Sequence, residues 1–239
     1  MICDLYKGDC LGVMDDLLKK NVKVDAIICD LPYGTTNNKW DIIIPFDRLW
    51  FYYENLIKDN GNIVLTSTEP FTSSLIMSNK KLFRYDIIWE KTISSGQLNV
   101  NRQPLRNHEN ILIFYKKFGT YNEQLLEGEP YSIKRNANYS NDTYNSQKPT
   151  ELINNGTRRA KSVIKISNPR IKNGHPTQKP VELMEWLIKT YTNEGDIVLD
   201  NCMGSGTTGV ACKNLNRNFI GIELDEKYFN MAKERIEQC

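Results

Sequence analysis

Long apolar runs are missing from this chain of 239 residues. None nears the roughly 20 consecutive apolar residues that a bilayer-crossing helix needs. With 40% hydrophobic residues, a soluble globular protein is expected instead. The opening, Met1-Ile2-Cys3-Asp4-Leu5, lacks the basic head and apolar middle of a cleaved secretion signal, so a cytoplasmic location is expected. Paired Cys-x-x-Cys spacing is missing too. The six cysteines stand at positions 3, 10, 29, 202, 212 and 239, and neither a zinc site nor a disulfide framework follows from them. Net charge is small, at +2, but unevenly spread: residues 134–175 hold nine Lys or Arg against two acids, Asp142 and Glu151, giving +7 there and −5 elsewhere. A polyanionic partner would account for that stretch, with a solvated loop face as the alternative.

Seven segments rich in β-branched and aromatic residues predict strands at 2–7, 25–30, 62–67, 85–91, 109–116, 196–200 and 219–223. Helical patterns lie between most of them. Phe46, Leu49, Trp50, Tyr53, Leu56 and Ile57 share one helical face behind Pro45, and Met184, Leu187, Ile188 and Tyr191 do the same after Pro180. Alternating strands and helices predict an α/β fold with a mostly parallel, doubly wound sheet. Segments 85–91 and 109–116 are joined by a polar loop without helical pattern, which permits a terminal antiparallel pair. From Gly119 to Gly174 the pattern breaks down: Tyr131, Tyr139 and Tyr144 stand among polar residues, and only Ser162 to Ile166 looks strand-like. A stretch of that length without clear elements is usually functional or disordered.

Ile197-Val198-Leu199-Asp200 reads as a buried strand running into Asn201-Cys202-Met203-Gly204-Ser205-Gly206-Thr207-Thr208-Gly209 and then a helix. Glycines in such a loop let backbone approach a ligand, and the carboxyl ends of strands are where open α/β sheets bind ligands. The next strand ends at Glu223, about twenty residues on, the separation at which a carboxylate meets ribose hydroxyls. An adenosine-containing cofactor is the expectation. Gly204, Gly206 and Gly209 also match a dinucleotide fingerprint, which keeps NAD as the competing cofactor. Against it, neither of the two histidines stands out as the acid of a hydride transfer.

Ala26-Ile27-Ile28-Cys29 is another buried strand, ending in Asp30-Leu31-Pro32-Tyr33-Gly34. In isolation this is a strand-ending turn. Its chemistry suggests more. An exocyclic amine on an aromatic ring is a poor nucleophile because its lone pair is delocalised. A carboxylate and a backbone carbonyl that accept its two hydrogens favour the pyramidal form that attacks. Asp30 and the carbonyl of Leu31 or Pro32 fit that need, Pro32 stiffens the segment, and Tyr33 offers a ring on which an extruded base stacks.

The two motifs, their order and their spacing resemble the β group of DNA amino-methyltransferases. There an Asp-Pro-Pro-Tyr motif precedes the target-recognition region, which precedes a Phe-x-Gly-x-Gly cofactor motif. Here Leu31 replaces the first proline and Cys202 stands where Phe is usual. The resemblance extends over nearly the whole chain: Gly8-Asp9, Trp89-Glu90-Lys91, His108-Glu109-Asn110 and His175-Pro176-Thr177-Gln178-Lys179-Pro180 each look like family segments in family order. It implies a Rossmann-like fold of seven strands in circularly permuted order, beginning near residue 197 and resuming at residue 2. The implied divisions are a catalytic half (1–118), a target-recognition insertion (119–174) and a cofactor-binding half (175–239).

Further implications are an S-adenosyl-L-methionine cofactor and a double-stranded DNA substrate, methylated at adenine N6 by base flipping and direct transfer. Cytosine N4 is the alternative, because Asp at the first position of the tetrad resembles adenine enzymes and Ser is commoner in cytosine enzymes. Glutamine-N5 enzymes, with Asn there and the opposite motif order, fit less well, and a non-catalytic DNA-binding protein is opposed by the intact Asp30, Pro32 and Tyr33. Asp30, Leu31, Pro32 and Tyr33 are the expected catalytic segment. The cofactor set is Asp9 near the adenine, Glu223 on the ribose, Cys202, Met203, Gly204, Ser205, Gly206, Thr207 and Thr208 beside the methionine part, Lys179 and Pro180 in the segment that helps hold the methionine carboxylate, and Cys10, Asp30, Asp200 and Leu224 besides. For Asp9 alone a helix cap is the competing role, and for Lys179 a surface position. Lys134, Arg135, Arg158, Arg159 and Lys161 are the expected DNA contacts. The sequence leaves open a homodimer and a cognate restriction enzyme as further partners.

Overall fold

A computed structural model describes residues 2–36, 38, 41–135, 150–168 and 178–239. Tyr139, Tyr144, Asp142, His175, Pro176, Thr177 and the side chain of Arg135 lie outside what it describes. The elements run β1 (Cys3–Lys7), α1 (Cys10–Lys19), β2 (Val24–Asp30), α2 (Phe46–Leu56), β3 (Ile57–Ser67), α3 (Phe71–Ser78), β4 (Phe83–Ser95), β5 (Arg106–Phe114), β6 (Leu125–Glu127), β7 (Tyr131–Arg135), β8 (Thr150–Asn154), β9 (Thr157–Arg159), β10 (Val163–Lys165), α4 (Val181–Tyr191), β11 (Ile197–Asp200), α5 (Thr207–Asn214), β12 (Asn218–Glu223) and α6 (Glu226–Glu237).

Period-two alternation explains the layering. Along β2, Ile27 and Cys29 enter a core shared with α1, α2 and α3, whereas Ala26 and Ile28 enter one shared with α4, α5 and α6. Both faces of the central strands are covered, which is why those strands read as continuous apolar runs. The main sheet has the order β1-β12-β11-β2-β3-β5-β4-β10. Its pairings are parallel except for β5, which is antiparallel to both β3 and β4. All seven expected strands are present, but the sheet has eight: β10 pairs in parallel with β4, so the antiparallel pair is not at the edge.

Two compact units make up the chain. One comprises residues up to Asn122 together with Ser162–Cys239, and the other is Glu123–Lys161. The smaller unit corrects the view of residues 119–174 as nearly strandless: β6 pairs with β9 and β7 with β8, both antiparallel. These strands are three to five residues long. With Leu125, Leu126, Ile133, Leu152 and Ile153 exposed, they bury no continuous face, so the alternation that marks a half-buried strand is absent. Arg158 braces this unit, donating to Asn154 Oδ1 at 2.7 Å and to the carbonyls of Thr157 and Glu129, with its guanidinium 4.6 Å from the Tyr131 ring centre. No described helix is long and apolar enough to cross a membrane.

Candidate active site

The winding of the sheet reverses between β11 and β2. From β11 the chain passes through α5 to β12 on one side, and from β2 it passes through α2 to β3 on the other. Crevices outside the carboxyl ends at such a reversal are the ligand sites of open α/β sheets. Because β1, β12, β11 and β2 are parallel, the acids that follow or end them, Asp9, Glu223, Asp200 and Asp30, converge on one edge. A cleft of about 1000 Å³ opens there. Every residue of the expected catalytic and cofactor sets lines it except Gly206 and Pro180.

Around Asp30 the hydrogen bonds are dense. Its Oδ1 accepts from the Tyr33 hydroxyl at 2.6 Å and the Thr66 hydroxyl at 2.5 Å, and its Oδ2 accepts from Lys179 Nζ at 2.6 Å. The Tyr33 ring packs on Phe71 with centroids 5.2 Å apart, and burial pushes its phenol well above the usual tyrosine range. Leu31 is buried among the helices of the α1–α3 face. Lys179 is no surface lysine: it is 7% exposed and also lies 3.3 Å from Glu109 Oε2. Lys91 Nζ donates to Glu109 Oε1 at 3.0 Å. Burial works against both charges, raising a carboxyl and lowering an ammonium. Lys179 and Lys91 nevertheless bring the Glu109 carboxyl below the usual glutamate value, and Asp30 and Glu109 hold the Lys179 ammonium above the usual lysine value.

The glycine loop divides its labour. Gly204 adopts φ +52°, and its N–H donates to Glu223 Oε2 at 2.9 Å, while Asp225 N–H donates to Oε1 at 2.8 Å. Each Glu223 oxygen keeps a lone pair for a ligand hydroxyl, and burial raises the carboxyl. Gly206 and Gly209, expected to let backbone approach a ligand, serve helix packing instead. A Cβ on Gly206 would lie 2.8 Å from the Ala232 side chain, and one on Gly209 would lie 2.4 Å from Ile236. Ser205 donates to Gln178 Oε1 and accepts, at Oγ and its carbonyl, from Arg235. Met203 is buried against Gly221. Asp9 caps α1, with Oδ2 accepting from Gly12 N–H at 3.0 Å, and Pro180 stands at the cap position of α4. Cys29 is fully buried beside Cys202, and burial pushes its thiol up to about 12.

Asp200 accepts from Cys202 N–H at 3.1 Å and the Thr208 hydroxyl at 2.6 Å, tying both ends of the loop to β11. Burial raises its carboxyl to about 6 from 3.8. A folded-state value above the unfolded one means that ionisation opposes folding. That opposition is absent below about pH 4, grows between 4 and 6, and is full above 6. At about 1.4 kcal/mol per unit, Asp200→Asn should therefore gain on the wild type by about 3 kcal/mol as pH rises from 4 to 7. Urea unfolding of both proteins at the two pH values checks this, and an unchanged difference would contradict it.

Sequence reasoning did not reach Thr66 or the catalytic-pocket placement of Lys91 and Glu109, although Trp89-Glu90-Lys91 and His108-Glu109-Asn110 had been singled out as segments. The available signal was a Lys and a Glu on paired strands, Trp89 standing opposite Glu109 in the β4–β5 register. Asp41 was also missed. It accepts from the N–H groups of Gly34, Thr35 and Thr36 at 2.7–2.9 Å and so shapes the loop beyond Tyr33.

A family model described as DNA methylase matches residues 24–234. The Type II methyltransferase M1.MboII of Moraxella bovis is 28% identical, over 98% of this chain and 96% of its own length. M.HpaI of Haemophilus parainfluenzae, also a Type II methyltransferase, is 31% identical over 90% of this chain and 68% of its own length. Among solved structures, the M1.HpyAVI-SAM complex superposes with a TM-score of 0.68 at 32% identity, covering 98% of this chain and all of that one. The PvuII DNA methyltransferase, described as cytosine-N4-specific, reaches a TM-score of 0.68 at 16% identity, over 98% of this chain and 86% of that one.

Proposed function

The chain belongs to the DNA methylase family, and from that premise we propose that it transfers a methyl group from S-adenosylmethionine to N6 of adenine in double-stranded DNA. The nicotinamide alternative falls with that membership. Likeness to the PvuII enzyme extends to the fold alone and does not choose between bases. The observation that carries the adenine reading is Asp30 at the first position of the tetrad, where it resembles adenine enzymes: a carboxylate at the end of β2, lining the cleft, with Oδ1 tied to Tyr33 and Thr66.

S-adenosylmethionine, when bound, supplies a methyl group on a sulfonium that a neutral amine attacks directly. The donor set suits it: Glu223 has lone pairs for the ribose hydroxyls, Asp9 stands for the adenine with Cys10 beside it, and Asp200, residues 202–205, Thr207 and Thr208 border the remainder. Asp30 Oδ2 and the Leu31 carbonyl accept the two hydrogens of the flipped base's amine, and the proton released as the new N–C bond forms passes to Oδ2. Alignment and preset hydrogen bonds supply the catalysis.

Lys134, Arg135, Arg158, Arg159 and Lys161 supply phosphate contacts, but they are not equivalent. Arg158 braces its own unit, whereas the Lys134 and Arg159 side chains are 78% and 86% exposed, near Glu151 and Glu123. A cytoplasmic location and a cognate restriction enzyme belong to the same reading, since the relatives are named Type II methyltransferases. Replacing Lys134, Arg159 and Lys161 by Ser should weaken DNA binding uniformly across sequences and flatten the plot of log Kd against log salt by about one unit per lost contact. An unchanged slope would remove these residues from the interface. The reading as a whole is tested by incubating the protein with tritiated S-adenosylmethionine and unmethylated genomic DNA. Label should enter a nuclease-sensitive fraction, and label only in protein, or none, would contradict it.

A further inference from the structure

In this structure the carboxylate that should receive the target amine is already held. Asp30 Oδ1 accepts from two hydroxyls, and Oδ2 is 2.6 Å from the Lys179 ammonium. Oδ2 keeps a second lone pair for the amine, but a carboxylate oxygen paired with an ammonium is a weak base for the departing proton. Lys179 must loosen for Oδ2 to take that proton, yet it is 7% exposed, and a buried ammonium without a partner is strongly disfavoured.

A second carboxylate stands ready. Glu109 Oε2 lies 3.3 Å from Lys179 Nζ on the side away from its own bond to Lys91. It is fully desolvated and has no aligned hydrogen-bond partner among the described residues. The four charges alternate, Asp30, Lys179, Glu109, Lys91, and balance to zero. Moving Lys179 Nζ by roughly half an ångström would bring it to the 2.7–2.9 Å typical of a charge-assisted bond with Glu109. That shift lengthens the contact with Asp30 Oδ2 from 2.6 Å to at most about 3.1 Å, so the ammonium's shorter bond passes from one anion to the other and no charge is left unpaired.

Resting on the amino-methyltransferase reading, we propose that Glu109 is a positioning residue: it draws Lys179 toward itself as the target amine arrives, loosening the ammonium's hold on Oδ2 while the four charges stay balanced. Lys91 holds Glu109 in place from the other side. A purely structural Glu109, tying β4 to β5, would matter to folding and would act independently of Lys179.

The test is a double-mutant cycle in single-turnover methyl transfer, using Glu109→Gln, which preserves size, and Lys179→Met, with S-adenosylhomocysteine affinity measured in parallel. Glu109→Gln should slow transfer on the order of 10- to 100-fold. Its affinity for S-adenosylhomocysteine and its KM for DNA should change less than about twofold. In the Lys179→Met background the same substitution should change the rate less than about twofold. Independently of turnover, the ε-carbon NMR signal of Lys179 in 13C-lysine-labelled protein should move when DNA is added with S-adenosylhomocysteine, and should stay put in Glu109→Gln. Equal losses in both backgrounds, a rate above half that of the wild type, or an unmoved Lys179 signal in the wild type would overturn the positioning role. A wild-type protein that methylates no DNA would overturn the reading beneath it.

Discussion

Asp30→Ala should reduce methyl transfer by about a thousandfold or more while leaving cofactor affinity within a few-fold of the wild type. Three features set that expectation. Asp30 is the last residue of β2, at the point where the winding of the sheet reverses, so its carboxylate cannot be replaced by a neighbour sliding along the strand. Its Oδ1 is spent on Tyr33 and Thr66, which fixes the direction of Oδ2. Apart from Asp30 itself, Lys179 and Pro180, the expected cofactor contacts end or follow β1, β11 and β12, and the substitution leaves them in place. Asp30→Asn is the sharper variant, because it keeps the shape and can keep the Tyr33 and Thr66 bonds through its amide oxygen. Its amide nitrogen would then present hydrogens where the target amine needs an acceptor, so its rate should fall nearly as far. Single-turnover transfer of tritium, with calorimetric titration of S-adenosylhomocysteine, reads both quantities. Turnover near the wild-type rate in either variant would remove Asp30 from the chemistry.

Glu223→Ala should act in the opposite place, weakening cofactor binding by about 10- to 100-fold, the value of hydrogen bonds to a charged acceptor. At saturating cofactor the rate should change little. Glu223 also receives the N–H groups of Gly204 and Asp225, so truncation loosens the loop as well as removing the ribose acceptor. Glu223→Gln separates the two effects: it retains one acceptor oxygen and should lose about tenfold in affinity. Because burial raises the Glu223 carboxyl above the usual glutamate value, its ionised form is disfavoured as pH falls, and cofactor affinity should weaken on the acid side in the wild type but not in Glu223→Gln. Equal cofactor affinity in Glu223→Ala and wild type would place the ribose elsewhere in the cleft.

What the sequence carried was whatever repeats along a strand or sits at its end. The apolar runs before Asp30, Asp200 and Glu223 marked central strands, and parallel pairing then brought their final acids together without further information. The long-range pairing of side chains was not written in any local pattern. Lys179 meets Asp30 across 149 positions of chain, and a lysine ahead of a helix looks the same in sequence whether it faces water or a buried carboxylate. Gly206 and Gly209 show the same limit. Their spacing matches a phosphate-binding fingerprint, but what lies above them, Ala232 and Ile236 of α6, comes from a helix some 25 residues on, and it is packing that excludes a side chain there. The short ribbons of the smaller unit escaped for another reason: exposed on both sides, they have no hydrophobic period to detect.

The most direct test of the central claim is to identify the modified base. Purified protein is incubated with S-adenosylmethionine and unmethylated genomic DNA, the DNA is digested to nucleosides, and the products are resolved by mass spectrometry. N6-methyldeoxyadenosine, absent when Asp30→Ala is used, is the predicted result. N4-methyldeoxycytidine in its place would keep the amino-methyltransferase chemistry and contradict the choice of base.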